Sequence, residues 1–321
     1  MKSTILTLCA FGALAIAWSV PAAAQWPERP VTIIVPAGAG GGTDATARLL
    51  SVHLEEIFGQ PFNVVNQGEG GGLVGILNTA NADPDGYTLG IVYNYAHYDL
   101  LGQAELSWES FTPIAQYNFD PAGFNVAMDS PYQTLEEALV AMAEDPSSFD
   151  VSCGGSCGTS WHLALASLLL ERGIDPMALN MVPAQGAAAG LQEMVAGNVD
   201  VVPCSVPEAG ALIDAGRVRA LAILSDERLG AFPDVPTVVE EIGVSVEGGA
   251  WRSMAGPAGL PDDITQQLAE AMDQIVHDQR FIDAMTERGF GIRYRSTEDL
   301  IAFMQQHEID TQAALEGIGA I

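Results

Sequence analysis

The chain has 321 residues, 48% apolar and 17% charged, which fits a globular protein of two domains of roughly 150 residues each and excludes a disordered one. Acidic residues outnumber basic ones 41 to 12 for a net charge of −29, so charge would not hold a phosphate backbone and no nucleic acid is expected as a partner. The sole Lys is Lys2, inside a removable leader, and a chain without Lys cannot be a P-loop NTPase, a pyridoxal-phosphate enzyme or a Schiff-base aldolase.

The leader is residues 1–24. Lys2 opens it, an apolar run follows from Ile5 to Val20, and Pro21 with Ala22, Ala23 and Ala24 closes it. This is the three-part build of a secretory signal, cleaved after Ala24. The mature chain then starts at Gln25 with a charge of −30, because only Lys2 is lost. Export places it in an oxidising compartment, where Cys153, Cys157 and Cys204 allow one bridge and one free thiol. His53, His97, His162, His277 and His307 are dispersed, so neither a metal site nor a cofactor is expected.

In chain order, Val31–Val35 (VTIIV) is a β-branched strand closed by Pro36. A Gly-rich loop, Gly38 to Asp44, precedes a helix over Ala45–Phe58 with Leu49, Leu50, Leu54 and Ile57 at helical spacing. Phe62–Val65 is the next strand, Gly68 to Gly72 a second Gly-rich loop, and a helix follows to Ala82. Pro84-Asp85-Gly86 turns into a third strand, Tyr87–Tyr93. The alternation restarts with a helix at Leu135–Ala143, a strand at Phe149–Cys153, the loop Gly154–Gly158 and a helix at Thr159–Glu171. Strands at Ala178–Val182, Val199–Val202 and Ala220–Leu224 enclose helices at Ala187–Ala196 and Pro207–Ala215. From Ile264 the chain is mostly helical, with a short strand at Ile292–Tyr294. This predicts an α/β protein of two lobes, 25–125 plus 247–321 and 126–246, each a wound, mostly parallel sheet with helices on both faces.

Three loops stand between a strand and a helix. Each presents free backbone N–H groups at the positive helix end, a device that favours anions. The first is not a dinucleotide fingerprint, since Thr43 stands where the third Gly belongs. The third, Gly154-Gly155-Ser156-Cys157-Gly158, is formally G-x-S-x-G, so the rival reading is a secreted serine hydrolase. Ser156 would be its nucleophile, with Asp200 or Asp214 and His277 or His307 as partners. No HGGG-like oxyanion motif precedes it, and three anion-type loops exceed what a hydrolase needs.

The motifs also carry a resemblance. VPAGAGGGTDATAR (Val35 to Arg48) resembles the VPxxPGGGTDxxAR signature of the Bug-type extracytoplasmic receptors of tripartite tricarboxylate transporters. NADPDGYTL (Asn81 to Leu89), CGTSWHLA (Cys157 to Ala164), VPAQG with GNVD (Val182 to Asp200) and FPDVPTVVE (Phe232 to Glu240) are similar to further motifs of that family, in order. The resemblance implies a non-enzymatic, monomeric periplasmic receptor of the two-lobed type II periplasmic-binding-protein fold. Such a receptor closes on a small organic carboxylate and delivers it to membrane transporter subunits. It implies ligand contacts from Ala39, Gly40, Gly41, Gly42, Thr43 and Asp44, from Gly70, Gly71 and Gly72, and from the facing Ser156, Cys157, Gly158, Thr159 and Ser160. His162, Tyr95, Ala184 and Asp200 complete the expected set. Ala184 replaces a usual aromatic, Gln185 a basic residue of many members, and Asn66-Gln67-Gly68-Glu69 a usual Asn-Arg-Pro-Gly. The loss of two basic side chains favours a less charged ligand than citrate. The family's strand order also places the strands ending at Cys153 and Cys204 side by side, so Cys204 is expected to pair with Cys153 or Cys157.

An exported protein faces the external medium, so the charge implies a saline, halophilic habitat. Near 1 M salt the screening length falls to roughly 3 Å and most carboxylate repulsion vanishes. The melting temperature of ligand-free protein should rise as sodium chloride goes from about 0.05 M to about 1 M. A flat or falling melting temperature would refute salt adaptation.

Overall fold

The computed structural model describes residues 26–321, and the expected leader, 1–24, lies outside them. The first half follows the expected alternation: β1 (Val31–Val35), α1 (Gly42–Phe58), β2 (Phe62–Asn66), α2 (Leu73–Ala80), β3 (Thr88–Val92) and α3 (Ala96–Leu100). β4 (Phe111–Pro121) and β5 (Gly123–Ala127) come next. Then follow α4 (Leu135–Glu144), β6 (Asp150–Ser152), α5 (Ser160–Glu171), β7 (Asn180–Val182), α6 (Ala187–Val195), β8 (Val201–Val202), α7 (Val206–Asp214), β9 (Val218–Ile223) and α8 (Val238–Ile242). The chain ends with β10 (Gly249–Pro257), α9 (Asp262–Val276), α10 (Gln279–Glu287), β11 (Ile292–Arg295) and α11 (Thr297–Gly317).

The strands form two sheets, ordered β11-β4-β10-β3-β1-β2 and β7-β6-β8-β5-β9. The α/β class is as expected, but both sheets are mixed rather than mostly parallel. In the larger, β1 pairs in parallel with β2 and β3, while β10 runs antiparallel to β3 and β4, and β11 to β4. In the smaller, β6 is parallel to β7 and β8, and β5 antiparallel to β8 and β9. The reason is the crossing. The chain leaves the larger sheet along β4 and returns along β10, and two segments travelling opposite ways side by side must pair antiparallel. Their register runs from Gly249 opposite Pro121 to Pro257 opposite Phe111. The change of sheet falls at Ala122, whose N–H donates to Gly248 O (2.8 Å) and whose carbonyl accepts from Leu224 N–H (2.8 Å).

Each sheet has its own core. β1 is buried on both faces because helices cover both, which is why VTIIV reads as an unbroken apolar run. α9 places Ile264, Leu268, Ala271, Met272 and Ile275 on one stripe against the larger sheet. Around the smaller sheet, Trp161, Leu165, Leu168 and Leu169 of α5 pack with Phe124, Leu139 and Leu191.

The bridge differs from the expected one. β6 and β8 are neighbours, as the resemblance implied, yet Cys153 joins Cys157 across a single loop (Cα–Cα 5.1 Å), leaving Cys204 free and buried. Register explains it. Val151 pairs with Val201, so Cys153 lies level with Pro203, and Cys204, one residue on, faces the other way. There the amide of Asn125 meets it, Nδ2 donating to Cys204 O (2.8 Å) with Sγ at 3.7 Å. Burial also pushes the Cys204 thiol well above its ordinary range. Under non-reducing conditions the native protein should therefore take up no alkylating reagent, and the denatured protein should take it up at Cys204 alone. Mass spectrometry showing a labelled Cys153 or Cys157 would contradict this pairing.

Candidate functional site

The three loops leave the C-terminal ends of β1, β2 and β6 and meet between the sheets. They enclose a cavity of ≈ 30 Å³, room for about two waters. Gly41, Gly42 and Thr43 at the start of α1, Gly71, and Gly154, Gly155 and Thr159 all line it, with Tyr93, Asn94, Trp161, Gly186, Glu208 and Arg252. The cleft is closed. Gly38 N–H donates to Gln185 O (2.8 Å), and Ser160 Oγ donates to Asn94 Oδ1 (2.5 Å). Gly71 holds φ = 69° and lies so close to the facing loop that a Cβ there would sit 2.8 Å from Ser156. Only Gly combines that dihedral with that approach.

One side of the cavity is a buried ionic network. Arg252 of β10 is 1% exposed. Its Nη1 donates to Asp120 Oδ2 and Asn118 Oδ1 of β4 (both 2.5 Å) and its Nε to Thr43 Oγ1 (2.9 Å). Its Nη2 donates to Glu208 Oε1 (3.1 Å), which comes from the first turn of α7 beside the smaller sheet. Glu208 Oε1 also accepts from Gly42 N–H (2.9 Å) at the start of α1. A carboxylate of the protein itself thus occupies an amide expected to serve a ligand. Glu208 Oε2 is buried and has no partner among the described residues. Burial raises the Glu208 carboxyl above its ordinary range, against the pull of Arg252. Burial alone would lower the Arg252 guanidinium, but Asp120 and Glu208 outweigh it and hold the charge.

Several expected contacts lie elsewhere. Asp44 folds back on its own loop, Oδ2 accepting from Gly40 N–H (3.0 Å) and Oδ1 pairing with Arg48 (2.8 Å). Its carboxyl is held below the usual range because Arg48 and the Gly40 amide outweigh its burial. Tyr95 points away toward α11, its hydroxyl bonding Glu308 Oε1 (3.0 Å). His162 Nδ1 accepts from Gly158 N–H (2.9 Å), which pins the loop, and burial lowers its imidazole to about 4. Cys157 is spent in the bridge. Asp200 is exposed at the far end of its strand, where Oδ2 accepts from Asp150 N–H (2.9 Å), so it is neither a buried acid nor at the cleft. Ala39, Gly40, Gly70, Gly72, Gly158 and Ser160 belong to the loops without lining the cavity, and Ser156 and Ala184 line a neighbouring outer groove with Gly70. The hydrolase arrangement is not assembled. Among the described residues no His bonds Ser156; His277 Nδ1 meets Asp273 O (2.7 Å) and His307 Nε2 meets Thr311 Oγ1 (3.4 Å).

Residues 46–319 match the family described as tripartite tricarboxylate transporter family receptor. The chain belongs to this family. A UPF0065 protein of Bordetella pertussis is 30% identical over 311 residues, covering 96% of this chain and 95% of its own. The solved periplasmic binding protein BugD is similar with a TM-score of 0.81 and 26% identity, covering 92% of this chain and 99% of its own. MatC of Rhodopseudomonas palustris, solved with bound malate, gives 0.81 and 26%, covering 90% and 100%.

The receptor's network residues are the ones sequence reasoning missed. Arg252 carried a signal: a charge inside AWRSMAG, an otherwise apolar and small-residue strand, requires a buried partner. Glu208 carried a weaker one, since an acid in a first helical turn is also an ordinary surface residue. Removing the cation should expose the network's energetics. Arg252→Met leaves Asp120 and Glu208 facing each other without compensation and should cost about 3–5 kcal/mol of stability in urea unfolding. A cost below about 1 kcal/mol, the range of an exposed pair, would mean the pair is not held as described.

Proposed function

We infer that this receptor is a periplasmic, non-enzymatic protein that closes its two lobes over a small organic carboxylate and hands it to a tripartite tricarboxylate-type membrane transporter. The observation that carries the reading is convergence: loops from the strand ends of both sheets meet at one enclosed cavity, with the N-terminus of α1 directed into it. MatC, the similar protein solved with malate, supports a carboxylate as the ligand class. The lobes follow the two sheets, with the chain crossing between them at Ala122 and Gly248, a few residues from the expected boundaries at 125/126 and 246/247, and opening about these crossings admits the ligand. The carboxylate is held by the amides of Gly41 and Thr43, which Asp44 and Glu208 leave untaken, and by the facing Gly71, where the helix end favours negative charge. The protein acts as a monomer, without cofactor or metal.

A thermal-shift screen of mono-, di- and tricarboxylates tests this. A specific ligand at 100 times its Kd should add about 2.7 kcal/mol of stability. Gly41 has an ordinary φ of −83°, and a Cβ there would lie 3.8 Å from Ala188 N, so a larger side chain fits the backbone but fills the cleft. Gly41→Val should keep the melting temperature of the ligand-free protein and abolish the ligand-induced shift. A folded Gly41→Val protein that binds undiminished would remove the first loop from the site.

A further inference from the structure

The ionic network at the cavity contains two buried carboxyl groups, Asp120 and Glu208, and one guanidinium, Arg252; of these Glu208 and Arg252 line the cavity. Asp120 is saturated: Oδ2 takes Arg252, and Oδ1 takes Gly291 N–H (2.8 Å) and Asn118 Nδ2 (3.1 Å). Glu208 is not. Its side chain is 4% exposed, Oε1 carries two hydrogen bonds, and Oε2 carries none among the described residues. A buried carboxylate oxygen without a donor carries an unrepaid desolvation cost. Arg252 and Tyr93 have no donor left for it. Arg252 is spent on Asn118, Asp120, Thr43 and Oε1, and the Tyr93 hydroxyl donates to Pro36 O (2.9 Å). Besides the buried Ser205 and Thr159 hydroxyls, which also have no partner among the described residues, a donor carried into the cavity by a ligand can supply the bond.

Building on the carboxylate-receptor reading, the geometry points to Glu208 as the residue that selects the ligand: its free Oε2 accepts a hydrogen bond from a donor group, ammonium or hydroxyl, carried by the bound carboxylate. The ligand class is therefore amino or hydroxy acids. The same placement rejects ligands without a donor. An acceptor-only group beside Oε2 would bring two lone-pair surfaces together, and the cavity wall has no unspent cation to separate them.

Calorimetric titration of the mature receptor with two carbon-matched series tests this: propionate, lactate and alanine, then succinate, malate and aspartate. The donor-bearing members of the series that binds should bind about tenfold or more tighter than the member lacking a donor, the size of one buried charge-assisted hydrogen bond. In Glu208→Gln, oxygen can keep the bonds to Gly42 and Arg252 while the amide nitrogen stands where Oε2 was. The preference should shrink or invert. Wild-type protein that binds propionate or succinate as tightly as its donor-bearing partners overturns the assignment without any variant, so misfolding of Glu208→Gln cannot shield it. A folded Glu208→Gln protein that keeps the full preference overturns it as well. Binding without donor preference, or binding of none of the six compounds, defeats this assignment alone, whereas the carboxylate-receptor reading falls only when the wider screen of mono-, di- and tricarboxylates also gives no shift.

Discussion

The closed cleft depends on where one guanidinium sits. Arg252 lies on β10, a strand of the larger sheet, yet it is shared with Glu208 from the helix that follows β8 of the smaller one. An ion pair this deeply buried is not a simple gain in stability, since desolvating both partners costs several kcal/mol each. What it supplies is position. Arg252 can satisfy Thr43, Asn118, Asp120 and Glu208 together only when α1, β4, β10 and α7 are all in place, so the two halves meet in one arrangement. The Gly42 amide joins the same carboxylate and ties the start of α1 to it.

The loops were legible in the sequence for a local reason. A strand, a run of Gly and a helix are contiguous, so Gly38 to Asp44, Gly68 to Gly72 and Gly154 to Gly158 announced themselves, and the family motifs ran through them. The alternation of β1 to β3 was legible in the same way. β4, β5 and β10 have no counterpart in the sequence-based expectation. β4 carries buried Gln116, Asn118 and Asp120, which break the apolar signature of a central strand. Those polar residues are there to serve Arg252 and β11, partners more than a hundred positions away, and no local pattern encodes such a distance.

Three of the misplaced site residues share one cause. Asp44, His162 and Asp200 are polar residues with chemistry attractive to a ligand, and each is consumed by a backbone amide close to it in the fold: Gly40, Gly158 and Asp150. A tight loop at a helix start leaves amides unpaired, and the nearest side-chain acceptor takes them. The residues that shape the cavity instead are those whose partners lie across the cleft.

This also bears on how a helix end can serve as an anion site in a protein as acidic as this one. With 41 acidic residues in the chain, an exposed amide cluster would be open to the protein's own carboxylates. Two of them have reached the first helix already, Asp44 at Gly40 and Glu208 at Gly42. They differ in what they leave behind. Asp44 is paired on both oxygens with its loop and Arg48, and offers nothing further. Glu208 lines the cavity and keeps Oε2 unpaired among the described residues, so the side chain that takes the Gly42 amide retains an acceptor. Under the assignment proposed for Glu208, the positive end of α1 is partly converted from a site that attracts any anion into one that also asks the anion for a donor.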